Sequence, residues 1–260
     1  MKTYMKRLTA TPLVVLTFSV CGLNAFAQAP GDALPTSLPT EKSAEEKHNE
    51  WVRRQIHPAR ENRVVTKGLL APSEQDRADH ESFLSHRGTG LIRLMPREIY
   101  DWETYKTPQK IKLRGGGSYY SFYYLSHEYG WGSDLSLEKD YLSVGFAGAD
   151  YGMLTNLGNV SLEDIISDDS SFISNYKPAY REKDARKEYR KFQLGETIDG
   201  ALYRSRLPCE VGSTYLVRSI YYDTSDILVA FRVVRKDVDD SIIIAWKLLR
   251  NFGKPALARN

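Results

Sequence analysis

The stretch that decides the fold is TYLVRSIYYDTSDILVAFRVVRKDVDDSIIIAWKLL, residues 214–249. It contains three runs rich in β-branched and aromatic residues, which favour strands because such side chains fit a pleated surface. The runs are Thr214–Tyr222, Ile227–Lys236 and Ser241–Leu249. The segments between them, Asp223–Asp226 and Asp237–Asp240, consist mainly of Asp, Ser and Thr, which favour tight turns. The stretch therefore predicts a three-stranded antiparallel meander.

Two-residue turns would set the register of this meander. The pairs that follow are Arg218 with Phe231, Phe231 with Trp246, Val229 with Leu248, and Val233 with Ile244. Alternate residues point to the same face of a strand, and a shift of one residue exchanges the two faces. The predicted core face consists of Leu216, Ile220, Ile227, Val229, Phe231, Val233, Ile244, Trp246 and Leu248.

Arg218 is the exception on this predicted face. A buried charge without a partner costs several kcal/mol. We therefore expect Arg218 either to lie on the ring of Trp246 as a cation–π contact or to reach water at the edge of the sheet. A catalytic or anion-binding arginine is a further alternative.

Helices are predicted outside the meander. One begins at Ser73 and continues to about Ser85, and a charged surface helix covers about Arg181–Lys191. A short strand, Leu91–Met95, follows the first helix. Together these elements predict an α+β fold. Its sheet is mostly antiparallel, with the C-terminal meander, and the N-terminal helices pack on or beside it.

A second stretch, residues 113–152, is rich in aromatic residues. It reads LRGGGSYYSFYYLSHEYGWGSDLSLEKDYLSVGFAGADYG and holds seven of the 17 tyrosines and eight of the 18 glycines. The pattern predicts two hairpins, because Tyr and Phe favour strands and the glycines allow turns. In a strand over Tyr119–Ser126 the residues would alternate between two faces. One face would carry Tyr119, Ser121, Tyr123 and Leu125, and the other Tyr120, Phe122, Tyr124 and Ser126.

One face of this strand must meet a core, and the other is too aromatic for an ordinary solvated face. Either the helices of the chain cover it, or it meets a ligand or partner. The candidate ligand-binding residues are Tyr120, Tyr124, Tyr129 and Trp131. The sequence thus favours a binding or structural protein with an aromatic-rich hairpin surface, whose partner is a glycan, a cell-wall fragment or a protein.

A secreted hydrolase is the first alternative. The candidate catalytic residues are His127, Glu128, Asp134 and Asp150, which lie close together in the sequence and near turns. A pair of carboxylates can act as general acid and base. Surface turns also carry such residues without any catalytic role. We expect no metal site and no cofactor, since no ligand set with the spacing of a metal motif is present.

The first 27 residues have the pattern of a secretory signal peptide. A basic start precedes an apolar run, and Ala25-Phe26-Ala27 is a small-x-small cleavage signal. We therefore expect an exported protein, periplasmic or extracellular, with no transmembrane segment in the mature chain. Cleavage removes three of the 36 basic residues and none of the 33 acidic ones, so the mature net charge is zero. Nucleic acid is not an expected partner, because no basic patch is present.

The remaining N-terminal segment, residues 28–57, is expected to be a flexible leader with a helical arm. Trp51, Val52 and Ile56 form a narrow apolar stripe, so this helix needs another surface to lie on. A protein of the cell envelope that docks on an assembly partner through its N-terminal helices is the second alternative. Residues 58–252 would form one α+β domain and residues 253–260 a loose tail. No motif is specific enough to assign the chain to a family.

Overall fold

The computed structural model describes residues 68–101, 111, 113–127, 129–130, 132–146, 148–167 and 171–259. The predicted signal peptide, the leader and its helical arm lie outside these residues, as do Glu128 and Trp131. Predictions that concern them stay predictions.

The described residues form eleven strands, five α-helices and one 3₁₀ turn. In chain order the strands are β1 Thr89–Leu94, β2 Tyr119–Tyr120, β3 Leu135–Glu138, β4 Tyr141–Ser143, β5 Tyr151–Gly158, β6 Glu196–Ile198, β7 Ala201–Tyr203, β8 Arg206–Pro208, β9 Thr214–Tyr221, β10 Ser225–Lys236 and β11 Ile242–Gly253. The helices are α1 Glu74–Asp79, α2 Glu81–Leu84, α3 Arg97–Tyr100, α4 Phe172–Asn175 and α5 Glu182–Leu194, with a 3₁₀ turn at Arg114–Gly117.

The strands form two main antiparallel sheets. The larger has five strands in the order β1-β11-β10-β9-β5, and the smaller has four in the order β2-β3-β4-β8. β6 and β7 form a separate hairpin. The predicted meander is confirmed as β9, β10 and β11, and it supplies the centre of the larger sheet.

Both faces of the larger sheet are covered. The smaller sheet packs on one face, where Leu135, Leu137 and Leu142 join Phe231 and Ile244 in one core. The helices cover the opposite face. There Phe192 of α5 packs with Met153 and Ile220, and Phe83 of α2 packs with Ala230 and Ala245. The chain thus has an α+β fold with mostly antiparallel sheets, as the sequence predicts.

The predicted register is confirmed in the central part of β10 and β11, between irregularities after Leu228 and Val233, but is wrong between β9 and β10. Phe231 pairs with Trp246, Val229 with Leu248 and Val233 with Ile244, as expected. Phe231 pairs with Tyr215, however, and Arg218 pairs with Leu228. The reason is the loop, because Tyr221 pairs with Ser225 and three residues, not two, reverse the chain.

This difference shifts the register by three residues, an odd number, and so exchanges the faces of β9. Tyr215 and Val217 occupy the core between the sheets, whereas Leu216 and Ile220 face the helices. Leu248, also predicted in the core, is largely exposed because alternate side chains of β11 reach solvent after Trp246. The other six predicted core residues lie in the core.

The same change of face explains how Arg218 is buried. Its Nε and Nη2 donate to the two carboxylate oxygens of Asp226 at 2.9 and 2.8 Å, and Nη1 donates to the carbonyl oxygen of Ile173 at 2.7 Å. Its guanidinium also lies 3.7 Å from the ring centre of Phe252. Both expectations for Arg218 are therefore wrong. It contacts neither Trp246 nor water, because it points to the helical face of the sheet.

The predicted helices are present with small changes. Ser73 caps α1 through a capping box with Asp76. The predicted helix is interrupted at His80, which ends α1, and α2 begins at the next residue. The charged surface helix is α5, which carries an ion pair between Arg186 and Glu182 at 2.6 Å. Residues after β11 hydrogen-bond to the rest of the chain, through Pro255 to Asp223 and through Ala258 to Tyr180 and Glu182.

The aromatic stretch is less extended than predicted. The strand expected over Tyr119–Ser126 ends at Tyr120, because the chain reverses after Ser121. Before it, Gly116 has a φ of 62° and lies against the Tyr100–Asp101 peptide, where a Cβ atom would be 2.4 Å from the Tyr100 carbonyl carbon. Only glycine permits this approach.

Candidate functional site: an exposed aromatic turn

Phe122, Tyr123, Tyr124 and Leu125 form the tip of a hairpin, which we call the aromatic turn. The hairpin closes between Ser121 and Ser126. The Ser121 N–H donates to the Ser126 carbonyl oxygen at 2.8 Å, and the Ser126 N–H donates back at 3.3 Å. The Tyr124 N–H also donates to the hydroxyl oxygen of Ser121 at 3.1 Å. The turn therefore has a defined backbone conformation at its base.

Phe122 anchors the aromatic turn in the core between the two sheets. Its ring lies 5.2 Å from that of Trp246 and 6.4 Å from that of Phe231, measured between ring centres. Tyr120 adds an edge-to-face contact at 5.3 Å. Aromatic pairs at such distances stabilise each other beyond the area they bury. The first residue of the turn is thus a fixed point from which the other three project.

The other three residues of the turn are exposed. The exposed fractions are 38% for Tyr123, 39% for Tyr124 and 63% for Leu125. The two tyrosine rings meet edge to face at 5.0 Å. The Tyr124 ring lies over Gly132, where a Cβ atom would be only 2.8 Å from the ring. Three consecutive large side chains with apolar surface thus reach solvent at one point.

Leu125 has a backbone conformation that is unusual for its type. Its φ is 54°, in the left-handed region that branched residues rarely adopt. Such a conformation persists only where the surroundings impose it, and it is found preferentially at binding and active sites. An exposed leucine therefore stands at a position where glycine would be less strained.

Asp134 connects the aromatic turn to the larger sheet through hydrogen bonds. Its side chain is buried, with 1% exposure. Oδ2 accepts hydrogen bonds from the Tyr123 N–H at 3.2 Å and from the Ser121 hydroxyl at 3.1 Å. Oδ1 accepts one from the Ser219 hydroxyl of β9 at 2.6 Å. One carboxylate thus connects the turn to the larger sheet.

The environment of Asp134 is unfavourable for a charge. Burial raises the pKa of its carboxyl to about 6, although the hydrogen bonds from Ser219, Tyr123 and Ser121 lower it. Tyr221 lies nearby, and its hydroxyl donates to the carbonyl oxygen of Ser133. Asp134 is therefore a structural group that links two segments, and solvent does not reach it.

The other catalytic candidates lie in different surroundings. His127 Nε2 donates to the carbonyl oxygen of Arg93 at 2.7 Å, and burial lowers the pKa of its imidazole to about 4. Asp150 accepts from the Tyr222 N–H at 2.9 Å, and burial raises its pKa to about 6. The hydrogen bonds of His127, Asp134 and Asp150 thus lead to different partners, and these three side chains share none. Glu128 lies outside the described residues.

The three predicted ligand-binding residues that the structure describes, Tyr120, Tyr124 and Tyr129, lie in different surroundings. Tyr124 belongs to the aromatic turn, whereas Tyr120 is buried in the core. Tyr129 packs edge to face on Tyr119 at 4.7 Å and lies between the guanidinium groups of Arg97 and Arg114. Trp131 lies outside the described residues. Of the three described candidates, Tyr124 alone belongs to the exposed turn.

Sequence reasoning missed Tyr123 and Leu125 as surface residues. Simple alternation placed them beside Tyr119, on one face of a continuous strand. A usable signal was Ser121, because serine hydroxyls often accept a nearby backbone N–H and so favour turns.

No protein-family model, curated protein or solved structure matches the chain. Within the described ranges, no three His, Cys, Asp or Glu side chains are grouped so that they could hold a metal ion. The helices described for this chain also include none that is long and apolar enough to span a membrane. The candidate site rests on the geometry of the aromatic turn.

Proposed function

We propose that this chain is an exported binding protein that holds a protein partner through the aromatic turn. One observation carries the proposal: Tyr123, Tyr124 and Leu125 are exposed together on a turn that a buried carboxylate and a buried phenylalanine fix in place. Exposed apolar groups on a fixed backbone lose little conformational entropy on binding. Tyrosine is also enriched among the residues that dominate protein interfaces.

The shape of the turn favours a protein over a glycan. Sugars stack on an open, flat ring face. Here the two tyrosine rings are nearly perpendicular, with an interplanar angle of 82°, and the Tyr124 ring lies over the backbone of Gly132. Leu125, the most exposed of the three, offers no ring. A projecting Tyr-Tyr-Leu tip is better suited to an apolar recess on a protein.

The hydrolase alternative has less support. A general acid or base must reach the substrate within hydrogen-bond distance. Asp134 is buried with its oxygens occupied by three donors, and His127 already donates to a main-chain carbonyl. The assembly alternative concerns residues 28–57 and is compatible with a partner bound at the turn.

Site-specific crosslinking tests the proposal. A photoreactive amino acid at position 125 should crosslink to one defined protein in the native cells. The same group at Val238, which is fully exposed on a polar turn, should not crosslink to that protein. The crosslinked protein is then purified, and its affinity for the full chain is measured.

Substitutions in the turn should weaken that complex. We expect Tyr124→Ala and Leu125→Ser each to reduce the affinity about tenfold, which corresponds to about 1.4 kcal/mol. Tyr180→Ala is the matched control, because this tyrosine is 65% exposed at a distant position. If the turn variants bind as tightly as the unmodified protein, the turn is not the binding site.

A further inference from the structure

A cleft lies on the helical face of the larger sheet, away from the aromatic turn. Its volume is about 360 Å³. It lies between α1 and α2 on one side and the segment after β5 on the other, with β10 and β11 beneath. Sites for small molecules commonly measure about 300–1,000 Å³, so this cleft suits a small ligand.

The floor of the cleft is apolar. Phe83, Leu162 and Ala245 are buried and belong to one hydrophobic cluster, which Val234 extends. All four line the cleft. Phe83, Leu162 and Ala245 are nearly buried already, so a ligand gains only from the small apolar surface that they still expose, at roughly 25 cal/mol for each Å² removed from water.

One wall of the cleft carries a guanidinium group. Arg232 Nη1 donates to the carbonyl oxygen of Val160 at 2.8 Å and to the hydroxyl of Thr214 at 3.1 Å, and Nη2 donates to the side chain of Asn159 at 2.7 Å. These bonds fix the guanidinium. Among the described residues they leave the Nε–H and one Nη2 hydrogen without an acceptor. Arginine is suited to bind a carboxylate through two such donors.

Hydrogen-bond acceptors, including a carboxylate, also line the cleft. The Ser161 hydroxyl donates to Oε2 of Glu163 at 2.7 Å, which orients this carboxylate and lowers its pKa. His80 Nδ1 lies 2.9 Å from the carbonyl oxygen of Asp76. Because a carbonyl only accepts, Nδ1 donates this hydrogen bond, and Nε2 is the acceptor in the tautomer that carries its hydrogen on Nδ1. Glu163 and His80 thus offer acceptors, although Lys247 also lies near Glu163.

From these features we propose that the cleft binds a free α-amino acid with an apolar side chain. The carboxylate of the ligand meets Arg232, its ammonium group meets Glu163 and His80, and its side chain lies on the floor formed by Phe83, Leu162 and Val234. This site is independent of the aromatic turn.

Calorimetric titration of the purified full chain with L-leucine tests this proposal. We expect saturable binding. Leucinamide, which lacks the carboxylate, and 4-methylpentanoate, which lacks the ammonium group, should each bind at least tenfold more weakly. Glycine, which lacks the apolar side chain, should also bind more weakly. Absence of saturable binding by L-leucine and by L-phenylalanine would overturn the proposal.

A variant of Glu163 separates recognition from folding. Glu163→Gln keeps the size of the side chain and an acceptor for Ser161, and Glu163 is exposed, so folding should be unaffected. We expect tenfold weaker binding of L-leucine and unchanged binding of 4-methylpentanoate. Glu188→Gln on α5 is the control and should bind L-leucine normally. Equal affinities of the Glu163 variant and the unmodified protein for L-leucine would contradict the proposed site.

The turn variant Leu125→Ser should retain L-leucine binding, which keeps the two proposals distinguishable.

Discussion

Asp134 joins three parts of the chain at one buried point. Its carboxylate accepts hydrogen bonds from the Tyr123 N–H in the aromatic turn, from the Ser121 hydroxyl at the base of that turn and from the Ser219 hydroxyl in β9. A buried carboxylate that binds several donors fixes geometry at a cost, because burial disfavours its charged form. The pKa raised to about 6 expresses that cost.

Because burial raises the pKa of Asp134, we expect the free energy of unfolding to depend on pH. With a pKa of 3.8 in the unfolded chain and about 6 in the folded protein, Asp134 binds more protons when folded between these values. Its contribution to stability therefore rises as the pH falls through 6, and it reaches its full value of about 3 kcal/mol only below the unfolded pKa of 3.8. His127 acts in the opposite direction, since its pKa is lowered to about 4 and its contribution is lost on acidification below the unfolded value of 6.5.

Asp134→Asn isolates the contribution of Asp134. Asparagine can accept from Tyr123 and Ser121 and donate to the Ser219 hydroxyl, so the turn should survive. We expect the variant to be more stable than the unmodified protein at pH 7.5, with the difference disappearing near pH 4. Urea unfolding of both proteins across this range measures the difference, in which His127 cancels. A difference that stays constant with pH would contradict the prediction.

We expect the Leu125 side chain to lower the stability of the fold while it contributes to partner binding. Its φ of 54° costs about 1 kcal/mol, which glycine would not incur. Leu125→Gly should therefore unfold at a higher urea concentration than the unmodified protein and bind its partner more weakly. Lys139→Gly is a matched control, because Lys139 is an exposed turn residue with a φ of 52°. It should gain stability and retain binding. Normal binding by Leu125→Gly would show that the side chain has no role.

Among the elements, β9 illustrates how a loop determines the environment of a strand. Its strand character is evident from the sequence, but its register depends on whether two or three residues form the loop before β10. Tyr222, Asp223 and Thr224 form a three-residue loop, in which Asp223 has a φ of 60°. Local composition cannot decide between these lengths, because both loops use the same turn-forming residues. The choice places Arg218 on the helical face.

Arg218 connects β9, β10 and α4, and its removal should be costly. Arg218→Met leaves the buried carboxylate of Asp226 without its charged partner, which costs about 3–5 kcal/mol. The double variant Arg218→Met with Asp226→Leu should recover most of this loss, because a well-packed apolar pair replaces the ion pair. Urea unfolding measures both.

An exposed ion pair provides the comparison for Arg218. Arg186 and Glu182 on α5 form such a pair, and their side chains remain partly in solvent. Arg186→Ala should change stability by less than about 1 kcal/mol. Similar effects of Arg218→Met and Arg186→Ala would show that the buried pair has no special role.

For the molecule as a whole, the larger sheet separates two independent surfaces. The smaller sheet on one face supports the aromatic turn, and the helices on the other border the cleft. Because the N-terminal sequence predicts export, we expect a partner to meet these surfaces outside the cytoplasm.

The N-terminal sequence predicts a processed protein. Cleavage after Ala27 should give a mature chain that begins at Gln28 in native cells. Intact mass measurement and N-terminal sequencing of the protein from cell fractions determine the first residue. Replacement of Ala25 and Ala27 by bulky residues should block cleavage, whereas a conservative change at Gln28 should not. A mature protein that retains Met1 would contradict export by this route.

The sequence by itself determined the α+β class, the three meander strands and the surface helix α5. These features depend on local periodicity and on turn-forming residues, which single segments carry. The central pairing of β10 with β11 was also predicted, although five residues, not two, lie between the paired Lys236 and Ile242, and an irregularity after Val233 restores the predicted pairs.

Only the tertiary structure decided the face of β9, the burial of Asp134 and Tyr120, and the exposure of Tyr123, Tyr124 and Leu125. These outcomes depend on partners far away in the chain. Ser219 meets Asp134 across 85 positions, and Phe122 meets Trp246 across the core. Which face of an aromatic segment becomes surface is decided by what packs on it, and local sequence does not contain that information.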